Sequence, residues 1–439
     1  MSLVHRLASQ SSVLFGGRLF GAGLIFLVQA IIARVWGAAI LGEYLVVNAT
    51  VNLIAVAMPL GFQTIGTYFA AEYRAKGDRR QFVSFLKRGY AHTAVAFMLM
   101  LLAGDLVLGL LGQGDSVIAM HWVPVCLLSL ATALVYVNGG VLIGLKRPMA
   151  GFFADSIFRP MLVLGSLLIC WMLIEEPMEG FNTLLWAMAI GYVVISAVHT
   201  TFVLASIERI EDNEPARKSE WPRWWRFAAP WALITLATDF FFDIDLLLLA
   251  TQLDREELAI FGVCARIFSL VSFGVSAVYA VILPDMFESH HQSDAATFQR
   301  KVGEANLAAS LASLIMFGAA LVGGPFVLML FGSHFTDGAL PLAILCLSLV
   351  VRSVMGPASM VLSIHDRPWS SLPAVALGVA TLIVGNILLV PHFHLVGASL
   401  AALIAITLWS IGLWLTALHM AKVDVSILHW LRTRRQIVE

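Results

Sequence analysis

The chain has 439 residues, of which 59% are hydrophobic and only 13% charged, with a formal net charge of -1. Soluble domains carry roughly a quarter charged residues, so a water-soluble globule is excluded: the excess apolar surface must face lipid. A near-zero balance without a basic domain gives no footing for a nucleic-acid partner.

A helix crossing a hydrocarbon core of about 30 Å needs roughly 20 mostly apolar residues. In chain order such runs are Ser12 to Ala33, Leu45 to Ala70, Tyr90 to Leu111, Trp122 to Ile143, Phe153 to Ile174 and Leu184 to Ala205. After a polar stretch come Phe227 to Ala250, Leu258 to Leu283, Ala305 to Leu330, Ala339 to Leu362, Leu372 to Val390 and Val396 to Met420. The first run contains Arg18 and is too long for a signal-peptide core, so it is kept as a span. Pro59, Pro325 and Pro357 fall within runs and are expected to kink them, which membrane helices tolerate.

Cytoplasmic loops hold the excess of Lys and Arg. With the N-terminus inside, the cytoplasmic side collects Arg6, the group from Arg74 to Arg88, Lys146, Arg147, Arg209, Arg217, Lys218, Arg223 and Arg226. Arg300, Lys301, Arg367, Lys422, Arg432, Arg434 and Arg435 complete that side, giving 21 of the 27 basic residues. The outer loops receive only Arg34 and Arg255. The expectation is an all-α polytopic membrane protein of about twelve transmembrane helices with both termini cytoplasmic.

Ser206 to Arg226 is the most polar connector. It divides an N-terminal six-helix lobe (1–205) from a C-terminal one (227–421), with 206–226 as a cytoplasmic linker and 422–439 as a basic cytoplasmic tail. Six helices per half make any repeat parallel. At a constant offset, Gly112 matches Gly332, Ala119 matches Ala339, Cys126 matches Cys346 and Leu127 matches Leu347. Val141 and Val361, Leu142 and Leu362, Arg147 and Arg367, and Pro148 and Pro368 match as well. Two parallel pseudo-symmetric lobes imply a central cavity and a rocking form of alternating access.

Charges inside spans are costly, and usually face a cavity or each other. Arg18 and Asp155 lie near cytoplasmic ends, where snorkelling is an equal alternative. Asp155 and Arg159 are spaced i, i+4, which favours a structural pair. Arg352 lies near mid-depth, where a water-filled cavity is the better reading. Asp239 and Asp243 are four apart, on one face, whereas Asp245 points elsewhere. Asp243 or Asp239 is expected to pair with Arg266, about 12 Å into the next helix, as a static bridge or as an ion-coupling carboxylate. Arg binds phosphate oxygens bidentately and keeps its charge, so Arg18, Arg159, Arg266 and Arg352 suit a diphosphate. Asn48, Asn52 and Asn138, with Gln63, add hydrogen bonding fit for sugars, and interhelical packing explains them equally well.

No enzyme signature is present. There is no Walker A sequence, and Gly16-Gly17 and Gly139-Gly140 read as helix-packing glycines. Cys126, Cys170, Cys264 and Cys346 sit in apolar runs without metal-ligand spacing, and His290-His291 lacks partner ligands. Neither cofactor nor metal is expected. Trp221, Trp224 and Trp225 among Arg223 and Arg226, and Trp430 near the tail, read as interfacial anchors.

Leu41-Gly42-Glu43-Tyr44, Gly61, the basic loop after Glu72-Tyr73, Pro284 ending the eighth helix, Phe331-Gly332-Ser333-His334-Phe335, and Val396 to Ala402 following Pro391 together carry a resemblance. The chain resembles the polysaccharide-transporter branch of the multidrug/oligosaccharidyl-lipid/polysaccharide exporter superfamily, the O-antigen and exopolysaccharide flippases. The resemblance implies a bacterial inner membrane and inward-to-outward movement of an undecaprenyl-diphosphate-linked oligosaccharide, driven by an ion gradient and not by ATP. Its implied partners are that lipid-linked oligosaccharide, membrane lipid, and the polymerase and glycosyltransferases of the same pathway. A multidrug exporter of the same superfamily, expelling amphipathic cations by proton or sodium antiport, is the alternative.

Overall fold

The computed structural model describes residues 3–210, 220–291, 295–365 and 367–430. Arg217, Lys218, Arg432, Arg434 and Arg435, named above as cytoplasmic charges, lie outside the described residues, as do the side chains of Arg6, His290 and His291. The chain divides into two compact units, Met1–Asp243 and Ile244–Glu439.

Every regular element is helical among the described residues. The first unit holds α1 (Leu3–Val35), α2 (Ala38–Ala57), α3 (Phe62–Lys76), α4 (Arg79–Leu110), α5 (Val117–Met120), α6 (Trp122–Gly144), α7 (Pro148–Phe153), α8 (Arg159–Leu173), α9 (Pro177–Ile207) and α10 (Trp221–Asp239), with α11 (Phe241–Leu249) at the boundary. The second holds α12 (Arg255–His291), α13 (Ala295–Met329), α14 (Ala339–Met355), α15 (Ala358–Ile364) and α16 (Leu372–Thr416).

Within the first unit α6 is the hub, packed by α2, α3, α4 and α9. Small residues let backbones touch where lipid gives no hydrophobic drive. A Cβ on Gly140 would lie 2.5 Å from the Gln63 carbonyl oxygen, and one on Gly144 2.4 Å from that of Thr67. Thr67 Oγ1 donates to the Gly140 carbonyl at 2.9 Å, closing the same seam. The opposite surface is lipid-like: on α4, Leu99, Leu102, Leu106 and Leu110 are all exposed.

Ten stretches among the described residues are long and apolar enough to cross a membrane. One of them, Trp369–Ala421, has 53 residues, about 80 Å of helix and far beyond one crossing. It reverses at His394 (φ 46°, ψ -125°). Gly378 abuts Trp409, Gly385 abuts Ala401 and Gly412 abuts Ala374, as in an antiparallel hairpin. The two expected spans of that region are therefore both present. The expected span Phe227 to Ala250 is interrupted at Phe240, between α10 and α11, and neither piece alone meets the length and apolarity of a crossing.

Several expected runs break where backbone chemistry demands it. Leu45 to Ala70 is not one helix: α2 ends before Pro59, which has no N–H to give. Gly61 then adopts φ 89°, and Gln63 Nε2 bridges the gap to the Val56 carbonyl at 2.9 Å. Ala339 to Leu362 breaks at Gly356-Pro357 into α14 and α15. Conversely, α12 runs through Pro284 to His291 and does not end there, and α13 runs through Pro325.

The internal repeat has a local structural counterpart. Arg147 N–H donates to the Leu142 carbonyl at 2.8 Å, and Arg367 N–H to the Leu362 carbonyl at 2.8 Å. Both arginines have φ near -120° (-120° and -122°), and each precedes a proline that opens the next helical segment.

At the end of α3 the chain is riveted to α10. Arg223 grips Glu72 with both nitrogens (Nη1–Oε1 2.9 Å, Nη2–Oε2 2.7 Å) and also reaches Glu220 at 2.9 Å. Trp224 Nε1 donates to Tyr73 Oη at 2.6 Å, and that hydroxyl donates to Glu220 at 2.9 Å. Trp224 is fully buried in this cluster, so it is a core residue and not the interfacial anchor expected; Trp221 remains exposed. Burial pushes the Glu72 carboxyl up, but hydrogen bonds from Arg223 and Lys76 outweigh it and hold the group below its ordinary value. In the second unit Lys422 to Trp430 is a fitted strap. Asp424 accepts from Trp414 Nε1 at 2.8 Å, and buried Asn306 donates to the Val425 carbonyl at 2.9 Å.

Candidate functional site

About a third of the way along Pro148–Leu173 the helix widens. Pro160 has no N–H for the Ser156 carbonyl, and Ala154–Phe158 is a π-helical turn, a form common at functional sites. The Ser156 oxygen faces α1 so closely that a Cβ on Gly21 would lie 1.7 Å from it. Glycine is what allows α1 to seat on the bulge.

Asp155 sits in the bulge and Arg159 follows it, about 16 Å along the axis from Pro148. Arg159 Nη1 meets Asp155 Oδ1 at 3.3 Å, and Tyr192 Oη donates to the same oxygen at 3.1 Å. The Arg159 guanidinium lies 5.2 Å from the Tyr192 ring centre and hydrogen-bonds with Tyr136. Asp155 is 40% exposed and Arg159 13%, so within the span the carboxylate is the more open member of the pair. Arg18, on α1, is exposed, stacks on Phe152 at 4.3 Å, and interacts electrostatically with Asp155. Tyr44 and Asp243 complete the surroundings through their fields at Arg159 and Tyr136.

The structure therefore gathers Arg18, Arg159 and Asp243 in the first unit. Asn48 lies one turn from Tyr44 and donates to that residue's own carbonyl at 2.8 Å. The Asn52 side-chain oxygen is buried without a hydrogen-bond partner among the described residues. Asn138 is fully buried, accepting from Tyr90 at 2.6 Å and donating to Thr200 at 2.9 Å. Its capacity is spent on joining α4, α6 and α9, which is the packing alternative. Asp239 is exposed and accepts from Thr238 at 3.1 Å. The break at Phe240 separates it from Asp243, so the expected shared helical face does not exist. In the second unit Arg266 is half-buried on α12, and exposed Arg352 occupies the last turn of α14, where its charge suits the helix end. Arg352 lies 5.7 Å from the Trp409 ring centre.

One group stands out against expectation. Asp245 is fully buried in the second unit, and fully buried Asn386 donates to its Oδ1 at 2.7 Å. Asp245 Oδ2 and Asn386 Oδ1 have no hydrogen-bond partner among the described residues. Two buried acceptor oxygens without a donor are a costly arrangement for a purely structural pair.

A family model described as polysaccharide biosynthesis protein matches residues 164–339. A MATE-family multidrug resistance transporter of the MOP superfamily, inward-facing, is similar at TM-score 0.71 and 16% identity over 91% of this chain and 95% of that one. The lipid II flippase MurJ in an inward closed conformation is similar at TM-score 0.71 and 14% identity, over 92% of this chain and 87% of that one. A MOP superfamily transporter from Pyrococcus furiosus Vc1 is similar at TM-score 0.64 and 16% identity, over 92% and 94%. No curated protein sequence matches. The chain therefore shares its fold with these MOP-superfamily proteins, and its middle part matches the polysaccharide biosynthesis model.

In a chain of this fold, whose structural neighbours are described as transporters and a flippase, the two polar groups lie where apolar packing would be the default. Sequence reasoning found the Asp155–Arg159 pair from its spacing. It set Asp245 aside, because a helical wheel gives direction relative to Asp239 and Asp243 but not the partner 141 residues away. The available signal was Asn386, a lone amide inside one of the most apolar runs of the chain.

Proposed function

We propose that this transporter flips an undecaprenyl-diphosphate-linked oligosaccharide from the inner to the outer leaflet of a bacterial cytoplasmic membrane, by ion-coupled alternating access. Both termini lie in the cytoplasm on the positive-inside argument. The observation that carries the reading is the cluster, inside the spans, of Arg18, Arg159 and Asp155 with Tyr136 and Tyr192. Two guanidiniums offer bidentate phosphate contacts, and the phenols offer ring faces and hydroxyls suited to a sugar. Asp245 with Asn386 supports the coupling step, since their two donorless oxygens are satisfied by a proton or a small cation.

Deleting the gene tests this reading. Surface polysaccharide is expected to fall and lipid-linked oligosaccharide to accumulate on the cytoplasmic side; wild type restores export and Arg159→Gln does not. Unchanged surface polysaccharide in the deletion strain overturns it. The exposed carboxylate of Asp155 favours one other reading, export of amphipathic cations, and that reading requires the deletion strain to become drug-sensitive with its polysaccharide intact.

A further inference from the structure

Asp155 is an odd residue for a static bridge. It is the more exposed member of its pair and sits on the π-helical bulge. Its bond to Arg159 is single and 3.3 Å long, whereas charge-assisted N–H···O bonds run at about 2.7–2.9 Å. Arg159 is otherwise fixed by Tyr136 and the Tyr192 ring, so it does not depend on Asp155 for its position. Asp155 also interacts with Arg18. A single carboxylate thus bonds one and interacts electrostatically with the other of the two cations that the proposed function assigns to phosphate.

We propose that Asp155 is a built-in stand-in for the substrate's phosphate, and that loading requires its displacement from Arg159. The inference rests on the flippase reading and adds a release mechanism to it. In the empty state the carboxylate spares the site an uncompensated guanidinium inside the span, a costly charge. An incoming diphosphate offers more acceptor oxygens and more charge, so it wins the guanidinium face. When the lipid has crossed, Asp155 returns to Arg159 and helps to expel the phosphate. The residue limits affinity in exchange for turnover, because a site that holds phosphate too tightly cannot release it.

The test is binding and flipping by the purified protein in lipid nanodiscs and proteoliposomes, with undecaprenyl diphosphate as the probe and inorganic pyrophosphate as competitor. Asp155→Asn keeps the shape and removes the charge; it is expected to bind the lipid diphosphate about three- to tenfold tighter and to flip it more slowly. Tyr192→Phe, which removes only the hydroxyl holding Asp155 Oδ1, is expected to shift affinity the same way by less. Arg159→Gln together with Asp155→Asn should lose the gain. If wild type binds the probe and Asp155→Asn binds it equally or more weakly with unchanged melting temperature, the stand-in role is overturned while the flippase reading stands. If Asp155→Asn does not fold, Tyr192→Phe decides: equal or weaker binding overturns the proposal. If wild type binds neither probe nor competitor, the functional reading itself fails, and this inference with it.

Discussion

Asp245 and Asn386 allow a structural role to be separated from a functional one by double substitution. Both side chains are fully buried, 2.7 Å apart at their single bond. Asn386→Leu removes a hydrogen bond to a charged acceptor, worth about 1.5–3 kcal/mol, and strands the carboxylate. Together these losses are expected to cost about 3–5 kcal/mol, the range for breaking a buried polar pair by removing one partner. Replacing both residues by Leu removes the stranded group as well, so the double variant is expected to recover most of that loss, since apolar replacements of buried polar pairs are often neutral or better. The assay is reversible unfolding in detergent or nanodiscs for all four members of the cycle, beside ion-driven flipping in proteoliposomes. A pair that serves coupling yields a double variant that is stable and inactive. A double variant that is stable and still driven by an ion gradient refutes the assignment of Asp245 to coupling.

The rivet between α3 and α10 should couple in a second cycle: Arg223→Gln with Glu72→Gln is expected to show about 1 kcal/mol of interaction in thermal unfolding, discounted because Arg223 is 34% exposed. Since Glu72 and Asp424 are held below their ordinary values of 4.5 and 3.8, their contributions are complete above those values and lost as pH falls through the lower folded ones. Melting temperature should therefore be flat from neutral pH to about 5 and then drop, with Glu72→Gln removing part of the drop. Gly21→Val drives a side chain into the Ser156 carbonyl and should cost about 1–3 kcal/mol with loss of transport; Gly23→Val, two residues on with open space around it, should be silent in both assays.

How much of this was legible in the sequence depends on whether the signal was local. The spans were legible because lipid demands long apolar runs, and the hairpin from Leu372 to Met420 is visible as two runs around Pro391. The Arg147 and Arg367 turns were legible because proline and its preceding residue restrict the backbone wherever they occur. The division of Leu45 to Ala70 was only half visible: Pro59 announced a kink, but a full break needs Leu60 and Gly61 both at positive φ. The bulge at Ala154–Phe158 was not visible, since it depends on how α1 meets the carbonyl that Pro160 leaves free. Trp224 misled because a tryptophan beside arginines reads as an interface residue until Tyr73 and Glu220 are brought to it. The shared helical face of Asp239 and Asp243 was misjudged because the i, i+4 rule presumes an unbroken helix, and Phe240 ends it.

The repeat and the two polar groups together explain why a repeat is useful here. Arg147-Pro148 and Arg367-Pro368 turn the chain in the same way, with the same bond to a leucine five residues back. What repeats is thus the scaffold's turning geometry, which any sequence obeying proline's constraints can keep. The costly residues do not repeat. Position for position at the same offset, Asp155 corresponds to Val375, Arg159 to Val379 and Asn386 to Ser166, so neither charge nor amide is kept in the other half.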